Sequence, residues 1–331
     1  MKKIGSIVIA ALILIGIVGC SNSMGKASQG NEKPEKITLD YAFYSPTSLV
    51  LKEFGWAEEA FEEEGIKVEF VLSQGSNKAL EFLNSGSADF ASSAGAAALM
   101  AKANGAPIES VYIYSKPEWT ALVANEDSEI QSVSDLKGKK IAATIGTDPY
   151  IFLLRALNEE GLSPSDVEIV NLQHGDGAAA LSSGQVDAWS GLDPHMARVE
   201  LETDGKLFYR NADFNTYGTL NVRSEFAEKY PEYVEKVIEV YEKARTWVLE
   251  NPEEAVEILA KEANIDLEVA KKQFTERNDF SNPVPGETQI EALTEAGKVL
   301  QAQDIIKKEV ELDQLVQDLI NPIFAEKVIK P

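Results

Sequence analysis

Short apolar segments typical of strands alternate with amphipathic segments typical of helices from Ile37 onward. The first of them are ITLDYAF, a predicted helix from about Leu49 to Glu64, VEFVL, a predicted helix around Asn77 to Ser85, and DFASS. Strands that alternate with helices favour a parallel sheet flanked by helices. From Ser224 the apolar residues recur at helical spacing, and Pro252 is expected to open one of these helices. The pattern therefore predicts an α/β fold.

One strand–helix–strand unit occurs twice. Residues 85–92 read SGSADFAS and residues 183–190 read SGQVDAWS, 98 positions apart (183 − 85), and both fit the pattern S-G-x-x-D-x-x-S. The repeat predicts two similar lobes, and chance convergence of two short units is the alternative. Each glycine stands where a helix should end. We therefore predict that Asp89 and Asp187 satisfy backbone donors and perform no chemistry.

The first nineteen residues, MKKIGSIVIAALILIGIVG, place two lysines ahead of an apolar run, and the only cysteine, Cys20, follows. This is the composition of an export signal, and the last three of these residues with Cys20 resemble the lipobox of bacterial lipoproteins. We expect a signal peptide over 1–19 and, over 20–36, a lipidated cysteine with a flexible tether. An uncleaved membrane anchor is the alternative. Either arrangement places the chain outside the cytoplasmic membrane, and lipid on Cys20 would anchor it there.

Charge and residue content disfavour several classes of function. Acidic residues outnumber basic ones 54 to 31, a net charge of −23, which disfavours nucleic acid as a partner. With Cys20 assigned to lipid, no thiol is left for a disulfide, a thiolate metal site or a nucleophile. The chain has two histidines, His174 and His195, and lacks the common zinc-protease, serine-hydrolase and phosphate-loop motifs. We expect a binding protein without cofactor or metal, with an enzyme on the same fold as the alternative.

Three segments carry a resemblance to a known family. They are SGSADFASSAGAAALMAKANGAPIESVYI, SVSDLKGKKIAATIGTDPYIFLLRALNEEGL and SGQVDAWSGLDPHMARVE. In order and spacing they resemble the substrate-binding lipoproteins of bacterial ABC importers for aliphatic sulfonates, taurine and nitrate, relatives of the thiamine-pyrimidine-precursor binders. The likeness runs from about Ile37 to Ile329. It implies a two-lobed, periplasmic-binding-protein-like fold of type II, with lobe one formed by residues 37–119 and 217–331, lobe two by 120–216, and a ligand cleft between the lobes.

The resemblance also implies a function. The chain would capture a small organic molecule by closing its lobes about a hinge at 118–122 and 215–220, and would deliver it to an ABC permease served by ATPase subunits. An aliphatic sulfonate or taurine is the expected ligand, and the chain is expected to be a monomer. The alternative ligand is a cationic or aromatic nitrogen compound of the pyrimidine-precursor type. The cysteine-rich motif of the related pyrimidine-forming enzymes has no counterpart here.

Polar residues follow four predicted strands, at the edge where open α/β sheets bind ligands. Hydroxyls and free amides at helix starts hold an oxyanion without a full positive charge, although each hydroxyl could instead cap its own helix. Asp148 opposes a simple sulfonate and suits an amine, unless it is only the N-cap before Pro149. We expect Asp193 to be an N-cap, with Pro194 as the first helical residue, and Trp189 to be a core residue. The candidate ligand-binding residues are Tyr44, Ser45, Thr47, Gln74, Ser92, Ser93, Trp119, Gly146, Thr147, Asp148, Tyr150, Leu192, Asp193, His195 and Tyr217.

Overall fold

The structure is a computed structural model that describes residues 32–329, so the predicted signal peptide, Cys20 and most of the tether lie outside it. The described chain forms two β-sheets with helices between their strands. The strands are β1 Lys36–Tyr41, β2 Lys67–Leu72, β3 Phe90–Ala94, β4 Ile108–Pro117, β5 Leu122–Ala124, β6 Lys140–Ala143, β7 Glu168–Asn171, β8 Ala188–Ser190, β9 Lys206–Tyr209, β10 Gly218–Arg223 and β11 Asn278–Asp279. The helices are α1 Pro46–Phe54, α2 Trp56–Glu62, α3 Ser76–Ser85, α4 Gly95–Ala103, α5 Asp148–Glu159, α6 His174–Ser182, α7 His195–Glu202, α8 Ser224–Lys229, α9 Pro231–Glu250, α10 Pro252–Ala263, α11 Leu267–Lys271, α12 Glu287–Ala302, α13 Leu312–Leu319 and α14 Ile323–Val328.

The two sheets share a strand order. When both are written from the edge of the parallel part, the first sheet runs β2-β1-β3-β10-β4-β11 and the second runs β7-β6-β8-β5-β9. Strands β1, β2 and β3 correspond to β6, β7 and β8, which are parallel in both sheets, and an antiparallel strand, β10 or β5, follows in each. The chain leaves the first sheet after β4, builds the second, and returns at β10. The α/β prediction is confirmed, and the predicted lobe limits fall in the connections that join the sheets.

The repeated aspartates have the same role in both sheets. The Asp89 carboxylate accepts the Thr38 N–H at 2.9 Å, and its own N–H donates to the Thr38 carbonyl at 2.8 Å. The Asp187 carboxylate accepts the Lys140 N–H at 2.8 Å, and its own N–H donates to the Lys140 carbonyl at 2.8 Å. Each aspartate thereby pairs with backbone groups of the middle parallel strand of its sheet, β1 or β6, as predicted.

The prediction of one long helix in the first sheet's region is wrong. The segment from Leu49 to Glu64 forms two helices, α1 and α2, that meet at Gly55. Gly55 has a φ of 65°, in the left-handed region that glycine adopts without strain, and its N–H bonds back to carbonyls of α1. The predicted helix around Asn77 to Ser85 is α3, and Pro252 opens α10 as expected.

Each sheet has its own hydrophobic core, and the larger one surrounds the first sheet. Trp189 is 1 % exposed in a core of the second sheet, which confirms its predicted role. A Cβ on Gly177 would lie 2.7 Å from the Trp189 indole nitrogen, so only glycine lets α6 pack this closely on that ring. Among the described helices, none is both long and apolar enough to cross a membrane.

Candidate ligand-binding site

A cavity of 280 Å³ lies where loops of the two sheets face each other. The loops after β1 and β2 form one wall, and the loops after β7 and β8 form the other, so both sheets contribute the carboxyl ends of their parallel strands. The lining residues are Phe43, Tyr44, Ser73, Gln74, Gln173, His174, Gly175, Asp176, Leu192, Asp193, Pro194 and His195. This is the edge of an α/β sheet at which ligands are expected.

Four helices begin at this cavity. They are α1 and α3 on the side of the first sheet, and α6 and α7 on the side of the second. The first N–H groups of a helix have no partner within it and carry a partial positive charge. The lining residues include no lysine or arginine, so helix ends supply the local positive potential. Such a cavity suits a small anion.

Both histidines of the chain line this cavity and are neutral at neutral pH. Burial, with the neighbouring His195, lowers the pKa of His174 to about 3, and burial, with Arg198, lowers the pKa of His195 to about 4. The Thr144 hydroxyl donates to the Leu172 carbonyl at 2.6 Å, so its oxygen is left to accept from His174 Nδ1 at 3.2 Å. We therefore assign the Nδ1–H tautomer to His174, which leaves its Nε2 as an acceptor.

Several buried polar atoms of the lining residues have no partner among the described residues. They are Ser73 Oγ, Gln173 Oε1, His174 Nε2 and His195 Nδ1. Buried polar groups are nearly always hydrogen-bonded in folded proteins, so an unpartnered group needs an explanation such as a water or a ligand. Their concentration at one cavity makes it the candidate binding site.

Two glycines let the sides of the site approach each other. A Cβ on Gly75, before α3, would lie 2.7 Å from His174 Nε2 on the opposite side. Gly146, in the loop after β6, has a φ of 86°, and a Cβ there would lie 3.3 Å from the Asn77 side chain. Any larger residue at Gly75 would push the His174 ring away.

Asp148 does not line the cavity and is not an N-cap. Helix α5 begins at Asp148 itself, with Thr147 at the N-cap position. The Asp148 carboxylate is buried and accepts hydrogen bonds from Trp119 Nε1 at 2.9 Å, the Thr216 N–H at 3.1 Å and the Thr216 hydroxyl at 2.7 Å. Burial raises the pKa of Asp148, and these hydrogen bonds oppose the rise. The carboxylate thus ties α5 to both connections between the sheets.

Asp193 lines the cavity, but its predicted position in the helix is wrong by one residue. Helix α7 begins at His195 with Pro194 as its N-cap residue, and the Asp193 carboxylate accepts the Ala197 N–H at 2.9 Å. Arg277 Nη1 lies 3.0 Å from Oδ1 and 3.2 Å from Oδ2 of the same carboxylate. Burial raises the pKa of Asp193 to about 6, and Arg277 opposes the rise. Arg277 is distant in the sequence, so a local sequence pattern could not identify it as a partner of Asp193.

The structure gathers part of the predicted set at the cavity. The predicted residues that line it are Tyr44, Gln74, Leu192, Asp193 and His195. The predicted residues outside its lining are Ser45, Thr47, Ser92, Ser93, Trp119, Gly146, Thr147, Asp148, Tyr150 and Tyr217. Ser92 donates to Ser45 at 3.3 Å, so these two hydroxyls bridge neighbouring loops, and the N-cap residues of α1 and α5 make no capping bond through their side chains.

The prediction missed some lining residues, and the internal repeat could have identified those at and after Gln173. The missed residues are Phe43, Ser73, Gln173, His174, Gly175, Asp176 and Pro194. The segments VEFVLSQG at Val68 and VEIVNLQHG at Val167 occupy equivalent places, and the first contains Gln74, which was predicted. Aligning them brings Gln173 and its neighbours to the same position of the second sheet.

The sequence and the fold match known proteins. The model of the NMT1/THI5-like family matches residues 51–255. A Bacillus subtilis protein named as an aliphatic sulfonates-binding protein is 29% identical over an alignment of 333 positions, which covers 100% of this chain and 98% of that protein. The periplasmic aliphatic sulphonate binding protein SsuA of Escherichia coli has a crystal structure that matches with a TM-score of 0.74 and 25% identity, over 88% of this chain and 93% of that one.

Two further solved structures show how widely the fold is used. The alkanesulfonate-binding protein SsuA of Xanthomonas axonopodis, bound to MOPS, matches with a TM-score of 0.79 and 24% identity over 88% of this chain and 99% of that one. The desulfurization enzyme DSZB matches with a TM-score of 0.65 and 16% identity over 89% of this chain and 99% of that one. These identities show the fold alone, which is the predicted periplasmic-binding-protein fold.

Proposed function

The chain belongs to the NMT1/THI5-like family, and from this premise we propose that it is an extracytoplasmic solute-binding protein for a small aliphatic sulfonate or taurine. The observation that carries the proposal is the convergence of four helix N-termini on one cavity whose lining has no lysine or arginine. A sulfonate stays ionised at physiological pH, so it needs hydrogen-bond donors and no proton. The names of the relatives from Bacillus subtilis and Escherichia coli support the same ligand class.

In this proposal the two sheets belong to two lobes, residues 37–119 with 217–331 and residues 120–216. A ligand that enters between them contacts both, and its differential affinity for the closed arrangement drives closure about the two connections. The closed form is then delivered to an ABC permease with separate ATPase subunits. The chain acts as a monomer and is held at the membrane by lipid on Cys20.

One observation favours taurine over a plain alkanesulfonate. Asp176 lies at the wall and makes no ion pair with any described residue, and His174 Nε2 is an unpartnered acceptor. Both groups accept hydrogen bonds, and both would suit the ammonium end of a ligand whose sulfonate faces the helix ends. An amine without an anionic group would instead match the alternative of a cationic nitrogen compound.

The enzyme alternative finds little support at the cavity, although DSZB shares the fold. The two histidines there are neutral and poor proton donors, and Asp193 is held by Arg277. The only cysteine of the chain, Cys20, precedes the described residues. Product formation from any sulfonate by the purified protein would contradict the proposed binding function.

A thermal-shift panel with taurine, ethanesulfonate, nitrate, a pyrimidine and a quaternary amine tests the proposal. A ligand at 100 times its dissociation constant stabilises the folded state by about 2.7 kcal/mol. We expect taurine and ethanesulfonate to raise the melting temperature and the amine to have no effect. Leu192→Trp, at the cavity wall, should abolish the shift, whereas Leu201→Trp, which is 46% exposed on α7, should preserve it. A response to the pyrimidine or the amine alone would overturn the ligand class.

A further inference from the structure

A π-helical turn, Lys272–Glu276, follows α11 and places residues against both walls of the cavity. Turns of this kind are rare and often occur at functional sites. Gln273 Nε2 donates to the carbonyl of Phe43, on the wall of the first sheet, at 2.8 Å. Arg277, directly after the turn, reaches Asp193 on the wall of the second sheet. The turn therefore joins the two walls through neighbouring residues.

Arg277 is fixed to the first sheet by its backbone. Its carbonyl accepts the Glu118 N–H at 2.8 Å, and the following strand, β11, pairs with β4. Its side chain points toward Asp193, beside the second sheet. The Arg277 side chain is 3% exposed, and the Asp193 side chain is 0% exposed. Asp193 is also held in place by its N–H, which donates to the Trp119 carbonyl at 3.0 Å. The pair is thus rigidly placed at the base of the cavity.

Four charged residues form a cluster here, which we call the charge quartet: Arg277, Lys272, Asp193 and Glu200. Arg277 pairs with both carboxylates, and Lys272 Nζ lies 3.2 Å from Glu200. Asp193 is the member that lines the cavity. Lys272 also lies 3.7 Å from Glu276, so the cluster as a whole is not neutral, but Arg277 directly offsets the charge of Asp193 at the cavity wall. A carboxylate there without Arg277 would repel an anion.

We propose that Arg277 is a specificity-determining residue that acts through Asp193, because it neutralises the part of the cavity wall that Asp193 forms and thereby permits an anionic ligand. This rests on the proposed function, since it names what sets the charge preference of the same site. Removing Arg277 leaves the wall at Asp193 negative, and removing the Asp193 charge makes that wall more positive, with Glu200 remaining as a partner of Arg277. The two changes have opposite effects on anion binding, and a purely structural role would weaken binding in both.

The experiment is a double-mutant cycle measured by calorimetric titration of ethanesulfonate at pH 8, with unfolding curves to verify that each variant is folded. We expect Arg277→Gln to weaken binding by about tenfold or more and Asp193→Asn to tighten it, with the double variant close to wild type. Ethylamine is the probe of opposite charge. The affinities of the variants for ethylamine should follow the reverse order, with Arg277→Gln binding it most tightly.

Matched controls change the net charge equally but away from the cavity. Lys298→Gln removes an ammonium group that is 60% exposed, and Glu225→Gln removes a carboxylate that is 81% exposed, and neither residue lines the cavity. Each control should alter ethanesulfonate affinity by less than the variant that removes a charge of the same sign, which is Arg277→Gln for the positive charge and Asp193→Asn for the negative charge. If Asp193→Asn weakens binding as much as Arg277→Gln, Arg277 has only a structural role. If the wild-type protein binds neither ethanesulfonate nor taurine, the proposed function itself fails, and this inference with it.

Discussion

Asp40, in the first sheet, and Asp193, at the cavity beside the second sheet, are two buried carboxylates that differ in their partners. Asp40, at the end of β1, is 0% exposed, and its Oδ1 accepts the Ser92 N–H at 2.7 Å, whereas its Oδ2 has no partner among the described residues. Asp193, after β8, is equally buried but faces Arg277. Burial raises the pKa of Asp40 to about 7 and that of Asp193 to about 6.

The difference shows what a buried cation changes. Three tyrosines on separate elements, Tyr44, Tyr114 and Tyr241, are the titratable groups that face Asp40, and burial raises the pKa of each well above its usual value. They stay neutral, so no cation offsets the cost of ionising Asp40, and the hydrogen bond from the Ser92 N–H opposes that cost only in part. Asp193 is instead held in an ion pair, which makes it a structural link.

The largest expected effect comes from removing the cation of that pair. Arg277→Ala leaves Asp193 buried without its counter-charge, and we expect the free energy of unfolding to fall by roughly 3–5 kcal/mol at pH 7. Urea denaturation monitored by circular dichroism measures the loss. Adding Asp193→Asn to the same chain should recover much of it, and a loss below about 1 kcal/mol would show that the pair contributes little.

The second prediction concerns the carboxylate without a cation. The pKa of Asp40 in the folded state, about 7, lies above its usual value of 3.8, so the folded state holds the proton more tightly. Stability attributable to Asp40 is therefore greatest below about pH 4 and declines as the pH rises to about 7. Asp40→Asn removes this dependence and should stabilise the protein at pH 8 by on the order of 1–3 kcal/mol, with little effect at pH 4.

Unfolding curves for Asp40→Asn across pH 4 to 8 provide the measurement. Ser92→Ala is a useful control, because the Asp40 bond comes from the backbone N–H of Ser92, which this change retains. The pH dependence should therefore persist in Ser92→Ala. Equal stability of Asp40→Asn and wild type at pH 8 would mean that Asp40 ionises without cost.

The repeated aspartates, Asp89 and Asp187, extend the comparison of paired and unpaired carboxylates to residues outside the cavity. Asp89 bonds the Thr38 N–H and also pairs with Arg223 at 2.8 Å, whereas Asp187 bonds a backbone N–H and has no ion pair with a described residue. We expect Asp89→Ala to cost about 2 kcal/mol and Asp187→Ala about 1 kcal/mol in free energy of unfolding. The reverse order in chemical denaturation would contradict the role given to Arg223.

The smallest effect is expected at the exposed ion pair between the connections. Arg210 makes two bonds to Glu118, at 2.8 and 2.9 Å, and the Arg210 side chain is half exposed. Solvent screening makes such pairs weak, so Arg210→Gln should change the free energy of unfolding by less than about 0.5 kcal/mol. Any effect should shrink further in 1 M salt, and a loss comparable to that of Arg277→Ala would break the distinction between buried and exposed pairs.

Features that depend on local pattern could be predicted from the amino-acid sequence. Alternation of strands and helices indicated the α/β fold, and the internal repeat predicted a shared role for Asp89 and Asp187 that the hydrogen bonds confirm. The break at Gly55 and the exact start of α7 were missed, because helical periodicity says little about where a helix ends.

Which polar residues share the cavity, and which bind partners elsewhere, depends on contacts between residues that are far apart in the sequence. Asp193 meets Arg277 across 84 residues, and Asp148 meets Thr216 across 68. A carboxylate before a proline has the same local pattern whether it caps a helix, binds a ligand or pairs with a distant cation. Its role is set by whichever donor the fold places within about 3 Å, since the cost of burying an unpaired charge leaves no other stable arrangement.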